Sequence, residues 1–437
     1  MAAAQRKAKV LSRRGLLRSA AAAGGAVAVG PYVVTSAALG SPARAATAER
    51  IVMGAIGVGG RGSYDLGILL HEKDVQFVAV CDVQKDRRDR AKATVDRTYG
   101  GKDCAAYRDF RELLARGDLD AVLIATGDRW HTPAAVRAMR AGLDVFCEKP
   151  NTMTVAEGRA LVAAAGRYGS IFQAGMQRLS EANFVFADEL VRTGRLGRVH
   201  TVRAHILPFR MRTDILPPQP TPDRETIDWD MWLGPATWRP FNRGYLGGCG
   251  AWLDYYDFGT GVAGWGSHTF CQCQSALDLK ETSAVEYAYP GNGNAEGFTA
   301  RFANGVRLVM QTGGWRGTCG VRYEGDEGWV SVADGYARPD VSAPALLGDY
   351  QKIVNDYVAR TGRPMHHLRD FLNGVRTRRR CVANEVVAHR TMTTNHAANA
   401  CMLLRRDMRW HPAAERFVGD DEANLLLSRA MRAPWQV

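Results

Sequence analysis

The clearest chemical pattern in the chain is Gly57-Val58-Gly59-Gly60-Arg61-Gly62, a G-x-G-x-x-G run, followed by Asp82 well beyond its last glycine. Glycines at this spacing suit a diphosphate. The first permits a tight turn, the second lets the backbone approach the phosphates, and the third allows a helix to pack closely. Free N–H groups in that helix's first turn then face an anion along the helix dipole. A carboxylate at Asp82 fits the hydroxyls of an adenosine ribose and repels a 2′-phosphate, so NAD is expected over NADP. Lys85, Arg87 and Arg88 read as solvated charges at a helix start, although they suit a phosphate if their loop turns inward. The nine cysteines include no C-x-x-C pair, and Cys271-x-Cys273 is too tight for a usual zinc site. No metal is expected.

These groups need elements to hold them. Apolar runs at 51–56, 75–81, 121–125 and 144–147 alternate with helical patterns at 87–98, 110–116 and 133–141, and the alternation continues through 156–168 and 171–173. Strands alternating with helices imply parallel βαβ units and a doubly wound Rossmann sheet, hence an α/β fold. The glycine run lies directly after the first strand, with a helix opening near Gly62. Beyond about residue 175, short strands are expected at 199–206, 283–289, 298–302, 306–312 and 329–333, with helical spacing again from His367. A Pro- and Trp-rich loop spans 208–264. Loops of that length are usually functional or partner-facing.

The formal charge of +12 does not argue for a nucleic-acid partner. The first 45 residues hold seven basic and no acidic side chains, and the remainder holds 50 basic against 45 acidic ones. The one basic cluster, Arg376-Thr377-Arg378-Arg379-Arg380, reads as a helix end or a solvated face. Ser12-Arg13-Arg14-Gly15-Leu16-Leu17, a weakly hydrophobic stretch and Ala43-Arg44-Ala45 look like a twin-arginine export signal cleaved after Ala45. That implies the twin-arginine export machinery as a partner and a periplasmic, cell-envelope or extracellular destination. The route carries folded proteins, which suits a cofactor loaded before export. The expected division is a signal peptide over 1–45, a NAD(P)-binding Rossmann domain over 46–175 and a substrate-binding and oligomerisation α/β domain with C-terminal helices over 176–437.

Further pieces carry a family resemblance. Cys81-Asp82-Val83, Ala125-Thr126-Gly127-Asp128-Arg129-Trp130-His131, Glu148-Lys149-Pro150 after the fourth apolar run, Gly175-Met176-Gln177-Arg178, Tyr256-Asp257-Phe258-Gly259-Thr260-Gly261, Gly266-Ser267-His268 and the closing Pro434-Trp435 occur in one order. In that order they resemble the Gfo/Idh/MocA oxidoreductases, which include glucose-fructose oxidoreductase and inositol dehydrogenase. The resemblance implies a C-terminal α/β domain whose open, largely antiparallel sheet often forms the oligomer contact, and so a homo-oligomer.

It further implies Lys149 beside the nicotinamide and a substrate hydroxyl, with a cis bond before Pro150. Oxidising an alcohol requires a positioned base, and burial beside a positive charge favours the neutral amine of a lysine. His268 matches the family's substrate-domain histidine. The Asp residues usually found four before and three after it are Gly264 and Cys271 here, so Asp254 or Asp257 is expected to supply the carboxylate. Thr126, Trp130, His131, Glu148, Lys149 and Gln177 join Gly57, Gly59, Gly60, Arg61, Gly62 and Asp82 as cofactor contacts, with capping and packing as the other role for His131. Trp252, Tyr255, Tyr256 and Trp265 are either a sugar-facing wall or a core plug. The resulting expectation is an exported NAD(P)-dependent oxidoreductase acting on a hydroxyl of a sugar, cyclitol or glycoside with a tightly bound cofactor. Two other readings stand: an NAD-dependent glycoside hydrolase using transient oxidation and elimination, and a catalytically silent binding protein.

Overall fold

The computed structural model describes residues 45–291 and 296–437, so the expected export signal lies outside the described residues up to its cleavage site. Six strands, β1 (Ile51–Ile56), β2 (Val75–Cys81), β3 (Ala105–Tyr107), β4 (Ala121–Ile124), β5 (Asp144–Cys147) and β6 (Phe172–Ala174), pair in parallel in the order 3-2-1-4-5-6. Every residue of β4 and β5 is buried, which their continuous apolar composition allows and a sheet covered on both faces requires. The flanking helices start and stop on local signals. Thr154 accepts the Glu157 N–H to open the helix Val155–Tyr168, and Gly169, at φ +64°, closes it. The strand order reverses between β1 and β4, where doubly wound sheets open a crevice at their carboxyl ends.

The second sheet holds β7 (Val199–His205), β8 (Glu286–Ala288), β9 (Thr299–Arg301), β10 (Arg307–Gln311), β11 (Val321–Gly325), β12 (Gly328–Val332), β13 (Asp340–Val341), β14 (Met408–His411) and β15 (Arg416–Phe417), in the order 13-12-11-7-10-9-8-14-15. The described pairings are antiparallel except β7 with β10. One face packs on the helices Ala182–Arg192, Ala263–Ala276 and Glu385–Leu404, burying Val202, Leu308, Met310, Val321 and Tyr323. The alternate positions, among them Arg203, Arg301, Arg307 and Arg322, remain partly or fully exposed.

Three departures from the sequence reading have physical causes. The helix expected from Pro133 begins at Asp128 with Gly127 as its N-cap, so Asp128, Arg129, Trp130 and His131 lie in its first turns rather than in a loop. The strands β11 and β14 place a charged residue at alternate positions and lack a continuous apolar run. The segment 208–264 is no open loop. It contains the helices Trp229–Leu233 and Cys249–Trp252 and its own aromatic core of Trp229, Trp232, Phe241, Tyr245, Tyr255 and Phe258. It also reaches back to the first sheet, where Lys85 N donates to Thr226 O and Asp228 N to Val83 O, both at 3.0 Å.

The glycine loop is held by close backbone approach. Gly57 adopts φ +80°, and a Cβ on Gly62 would lie 2.0 Å from the Gly57 carbonyl oxygen. Because that neighbour is backbone, it cannot rotate away. Gly62→Ala is expected to destabilise the protein by about 1–3 kcal/mol, as overpacking does. A lowered midpoint in urea unfolding checks this, and an unchanged midpoint would show that the helix Gly60–Leu70 can lift without cost.

Candidate active site

A cleft of about 360 Å3 opens at the carboxyl ends of β1, β2 and β4. Gly57, Gly59, Gly60, Arg61, Asp82 and Thr126 line it, and Trp130, Met231, Trp232 and Trp252 close it from the other side. Asp82 accepts the N–H groups of Val58 and Gln84, each at 2.9 Å, which ties the strand end to the glycine loop. Burial pushes its carboxyl upward, against the pull of the Gln84 N–H, Arg87 and the Val58 N–H. Bare glycines, the start of a helix and a buried acid at the next strand end fit a dinucleotide. Gly62, by contrast, packs beneath the loop. The reading of Arg87 and Arg88 as solvated charges is corrected. Arg88 is buried and donates to Asp82 O at 2.9 Å, and Arg87 lines the cleft. The segment 208–264 draws them in, since Glu225 O and Leu246 O accept from them. Lys85 stays outside, paired with Asp89.

Beside the cleft, Glu148 is 3% exposed and densely partnered. It accepts from Arg61 Nε at 3.1 Å, Gln177 Nε2 at 2.5 Å and the Lys149 N–H at 3.1 Å. Burial opposes its charge, but Arg61, Lys149 and these donors outweigh it and hold Glu148 below the usual carboxylate range. The same Arg61 binds Asp65, which is fully buried. Burial, then the Glu148 charge, push Asp65 up to about 8 despite Arg61. Of this pair, Asp65 is therefore the carboxyl that favours its proton and Glu148 the one that favours the charge.

Lys149 is joined to Pro150 by a cis peptide bond, and its Nζ donates to Gly264 O at 2.9 Å. Gly264 lies in the first turn of the helix Ala263–Ala276, one turn before His268, so the lysine bonds the end of the helix that carries the histidine. A Cβ at Gly264 would stand 3.0 Å from Leu207 and 3.3 Å from Leu253, side chains that occupy the space an acidic residue would need. Cys271 is buried in the apolar core. His268 Nε2 lies 3.2 Å from Arg178 Nη1. Because a guanidinium only donates, Nε2 accepts and the ring proton sits on Nδ1, which has no hydrogen-bond partner among the described residues. Burial, then Arg178, Lys149 and Arg61, push the imidazole well below its ordinary range, so it is neutral. Arg178 is itself fixed by Asp334, which it binds through Nε and Nη2 and which also accepts from Thr318.

The other expected residues divide. Asp257 is bound by Arg239 beside the aromatic core, and no hydrogen bond or ion pair joins it to Lys149 or His268 among the described residues. His131 is 1% exposed, with its ring nitrogens facing Pro150 O at 2.5 Å and Thr126 O at 3.1 Å, which is the packing role. Tyr255 is a core plug, Trp252 lines the dinucleotide cleft and Trp265 packs on His205, so the four aromatics form no single wall. Asp128 stands outside the expected site residues. It is buried, accepts from Thr260 Oγ1 at 3.0 Å, and is pushed upward by burial against His131 and Lys149. Its place in the 125–131 motif was the available signal. Asp334, far from any motif, had none. Among the described residues no cluster of three or more His, Cys, Asp or Glu side chains is placed to hold a metal ion.

The raised Asp65 gives a pH prediction. The folded state keeps its proton and the unfolded state loses it, so between about pH 4 and 8 this residue makes stability fall as pH rises, by up to about 1.4 kcal/mol per unit. In Asp65→Asn that contribution disappears, and the thermal midpoint should decline less from pH 6 to pH 8 than in the parent, by the same linkage. Parallel declines in both proteins would show that Asp65 is ionised.

Comparison with known proteins agrees with this geometry. The model of the Gfo/Idh/MocA oxidoreductase family with NAD-binding Rossmann fold matches residues 51–176, and that of the family's C-terminal alpha/beta domain matches 209–437. A glycosyl hydrolase family 109 protein from Saccharopolyspora erythraea is 37% identical over 171 residues, covering 36% of this chain and 37% of that protein. Inositol 2-dehydrogenase from Salmonella paratyphi B is 31% identical over 148 residues, covering 33% of this chain and 42% of that protein. The chain thus matches well under half the length of these two relatives. The WlbA dehydrogenase from Chromobactrium violaceum, solved in complex with NADH and UDP-GlcNAcA, superposes with a TM-score of 0.59 at 16% identity, covering 84% of this chain and 97% of that one. At that identity the likeness speaks for the fold. The chain belongs to the Gfo/Idh/MocA family of NAD-dependent oxidoreductases.

Proposed function

We propose that the protein is an exported oxidoreductase that moves hydride between a hydroxyl of a sugar, cyclitol or glycoside and a tightly bound nicotinamide cofactor. The observation that carries this reading is that Glu148 ties Lys149 to Arg61 of the dinucleotide cleft, while Lys149 Nζ reaches the Gly264 carbonyl one turn before His268. Bound NAD supplies the hydride acceptor. Lys149 Nζ, resting on the Gly264 carbonyl, is the group that takes the hydroxyl proton. His268 is a neutral donor rather than a base: Arg178 occupies Nε2, and the Nδ1–H is left to meet a substrate oxygen. Asp128 is the carboxylate nearest in role to the one absent at 264, and it replaces Asp257 in the scheme. Export rests on the twin arginines at 13 and 14, and residence of the cofactor follows from export, since free NAD is scarce outside the cytosol. A homo-oligomer built on the open sheet remains part of the same reading.

The family 109 relatives favour a second reading of the same groups, hydrolysis of a glycoside through transient oxidation and elimination. Incubation with sugars and with aryl glycosides separates the two. Net change in nicotinamide absorbance supports the dehydrogenase, and sugar release without that change supports the hydrolase. Denatured protein that releases no dinucleotide in mass spectrometry would contradict both.

Lys149→Met should lower turnover by about 10²–10⁴-fold, the range for loss of a general base, with cofactor content unchanged. A smaller loss would remove Lys149 from the role of base. His268→Asn keeps an N–H donor, and it should lower kcat/KM without altering its pH profile between about pH 5 and 7, where a titrating histidine would act. Loss of a profile limb in that variant would show that His268 changes charge in the cycle.

A further inference from the structure

The dinucleotide cleft carries two guanidinium groups that the glycine-loop fingerprint does not account for. Arg129 is 2% exposed. Its Nε donates at 2.9 Å and its Nη2 at 2.5 Å to the Trp232 carbonyl, and its head lies 3.9 Å from the centre of the Trp232 ring. The remaining nitrogen, Nη1, is buried and has no hydrogen-bond partner among the described residues. It lies 2.5 Å from where a Cβ on Gly127 would stand, and both residues line the cleft. The cations around it are otherwise matched: Asp257 takes Arg239 and Glu157 takes Arg429. Asp128, its neighbour in the chain, bonds Thr260 instead. A buried N–H without an acceptor is costly, and in a cleft wall an anionic ligand relieves the cost.

Arg87 repeats the pattern from another helix. It makes no ion pair among the described residues, its Nη2 reaches Leu246 O at 3.4 Å, and its Nη1 lies 2.9 Å from the Cβ position of Gly59. Gly59 is the glycine whose bare backbone admits phosphates. Both arginines are held by backbone carbonyls of the segment 208–264, and both point at a glycine of the cleft.

We infer that Arg87 and Arg129 grip the cofactor's diphosphate at Gly59 and Gly127, and that the segment carrying Trp232 and Leu246 locks the dinucleotide in place by holding them. The planar guanidinium fork suits two phosphate oxygens at once. The inference rests on the reading of the cleft as the site of a resident dinucleotide.

Titration of the stripped protein with ADP-ribose and with adenosine tests it, in Arg87→Met and Arg129→Met. Loss of a charge-assisted contact should weaken ADP-ribose about tenfold to a hundredfold in each variant. Adenosine, which has no diphosphate, should bind as in the parent, and NAD should leave the variants faster on dilution. Unchanged ADP-ribose affinity in Arg87→Met overturns the inference, as does an equal loss for adenosine, which would mean a structural role. If Arg129→Met fails to fold, Arg87→Met decides alone. A parent protein that binds neither ADP-ribose nor NAD overturns the reading of the cleft itself, whereas a parent that binds both and variants that match it overturn the grip only.

Discussion

A single buried negative charge organises the site. Glu148 sits where β5 ends, out of reach of solvent, and a carboxylate there is tolerable only if donors surround it. The donors come from three places: Arg61 from the helix of the glycine loop, Gln177 from the turn after β6, and the N–H of Lys149. Gly175 is bare because a Cβ there would stand 2.5 Å from Glu148 Oε1. The dinucleotide loop, the lysine and the start of the path to His268 are thereby placed by one charge. Gln177 Oε1 also accepts from Arg178 at 3.5 Å, and Arg178 reaches His268, so the arrangement runs from the first sheet to the helix Ala263–Ala276.

The site lies on the seam between the two sheets, and two of the bonds across that seam use backbone carbonyls. Lys149 donates to Gly264 O and Arg129 to Trp232 O. A carbonyl acceptor does not depend on which side chain its residue carries. This explains how Gly264 can stand where an acidic residue is usual: the lysine keeps an acceptor, and Leu207 and Leu253 occupy the vacant volume. The segment 208–264 can cross the seam because its tryptophans and tyrosines form a core of their own, anchored to the first sheet at Val83 and Lys85.

Five strands of the first sheet were legible as short apolar runs, whereas β3, three partly exposed residues at the sheet edge, has no such run; the glycine loop with Asp82 marked where the dinucleotide cleft would lie. Lys149 and His268 came from motif order, and Lys149 reaches the Gly264 carbonyl on the helix that carries His268. What the sequence hid was mostly long-range. Asp334 is 156 residues from Arg178, and nothing local marks it as that arginine's anchor. Arg87 reaches Leu246 O and Arg88 reaches Glu225 O, carbonyls far along the chain that no local pattern announces. Asp257 was chosen for proximity in sequence to the histidine, but Arg239 claims it in space. The strands β11 and β14 escaped because a sheet with one open face alternates charge and apolarity, leaving no run to read.

The central claim is that Lys149 removes a hydroxyl proton beside a resident nicotinamide cofactor. Sugars carrying deuterium on the carbinol carbon test it most directly, with the cofactor recovered from denatured protein and weighed by mass spectrometry. Deuterium is expected in the cofactor of the parent protein, with labelling slowed about 10²–10⁴-fold in Lys149→Met. Unlabelled cofactor in the parent across the sugar panel, or equal labelling in the variant, would contradict it.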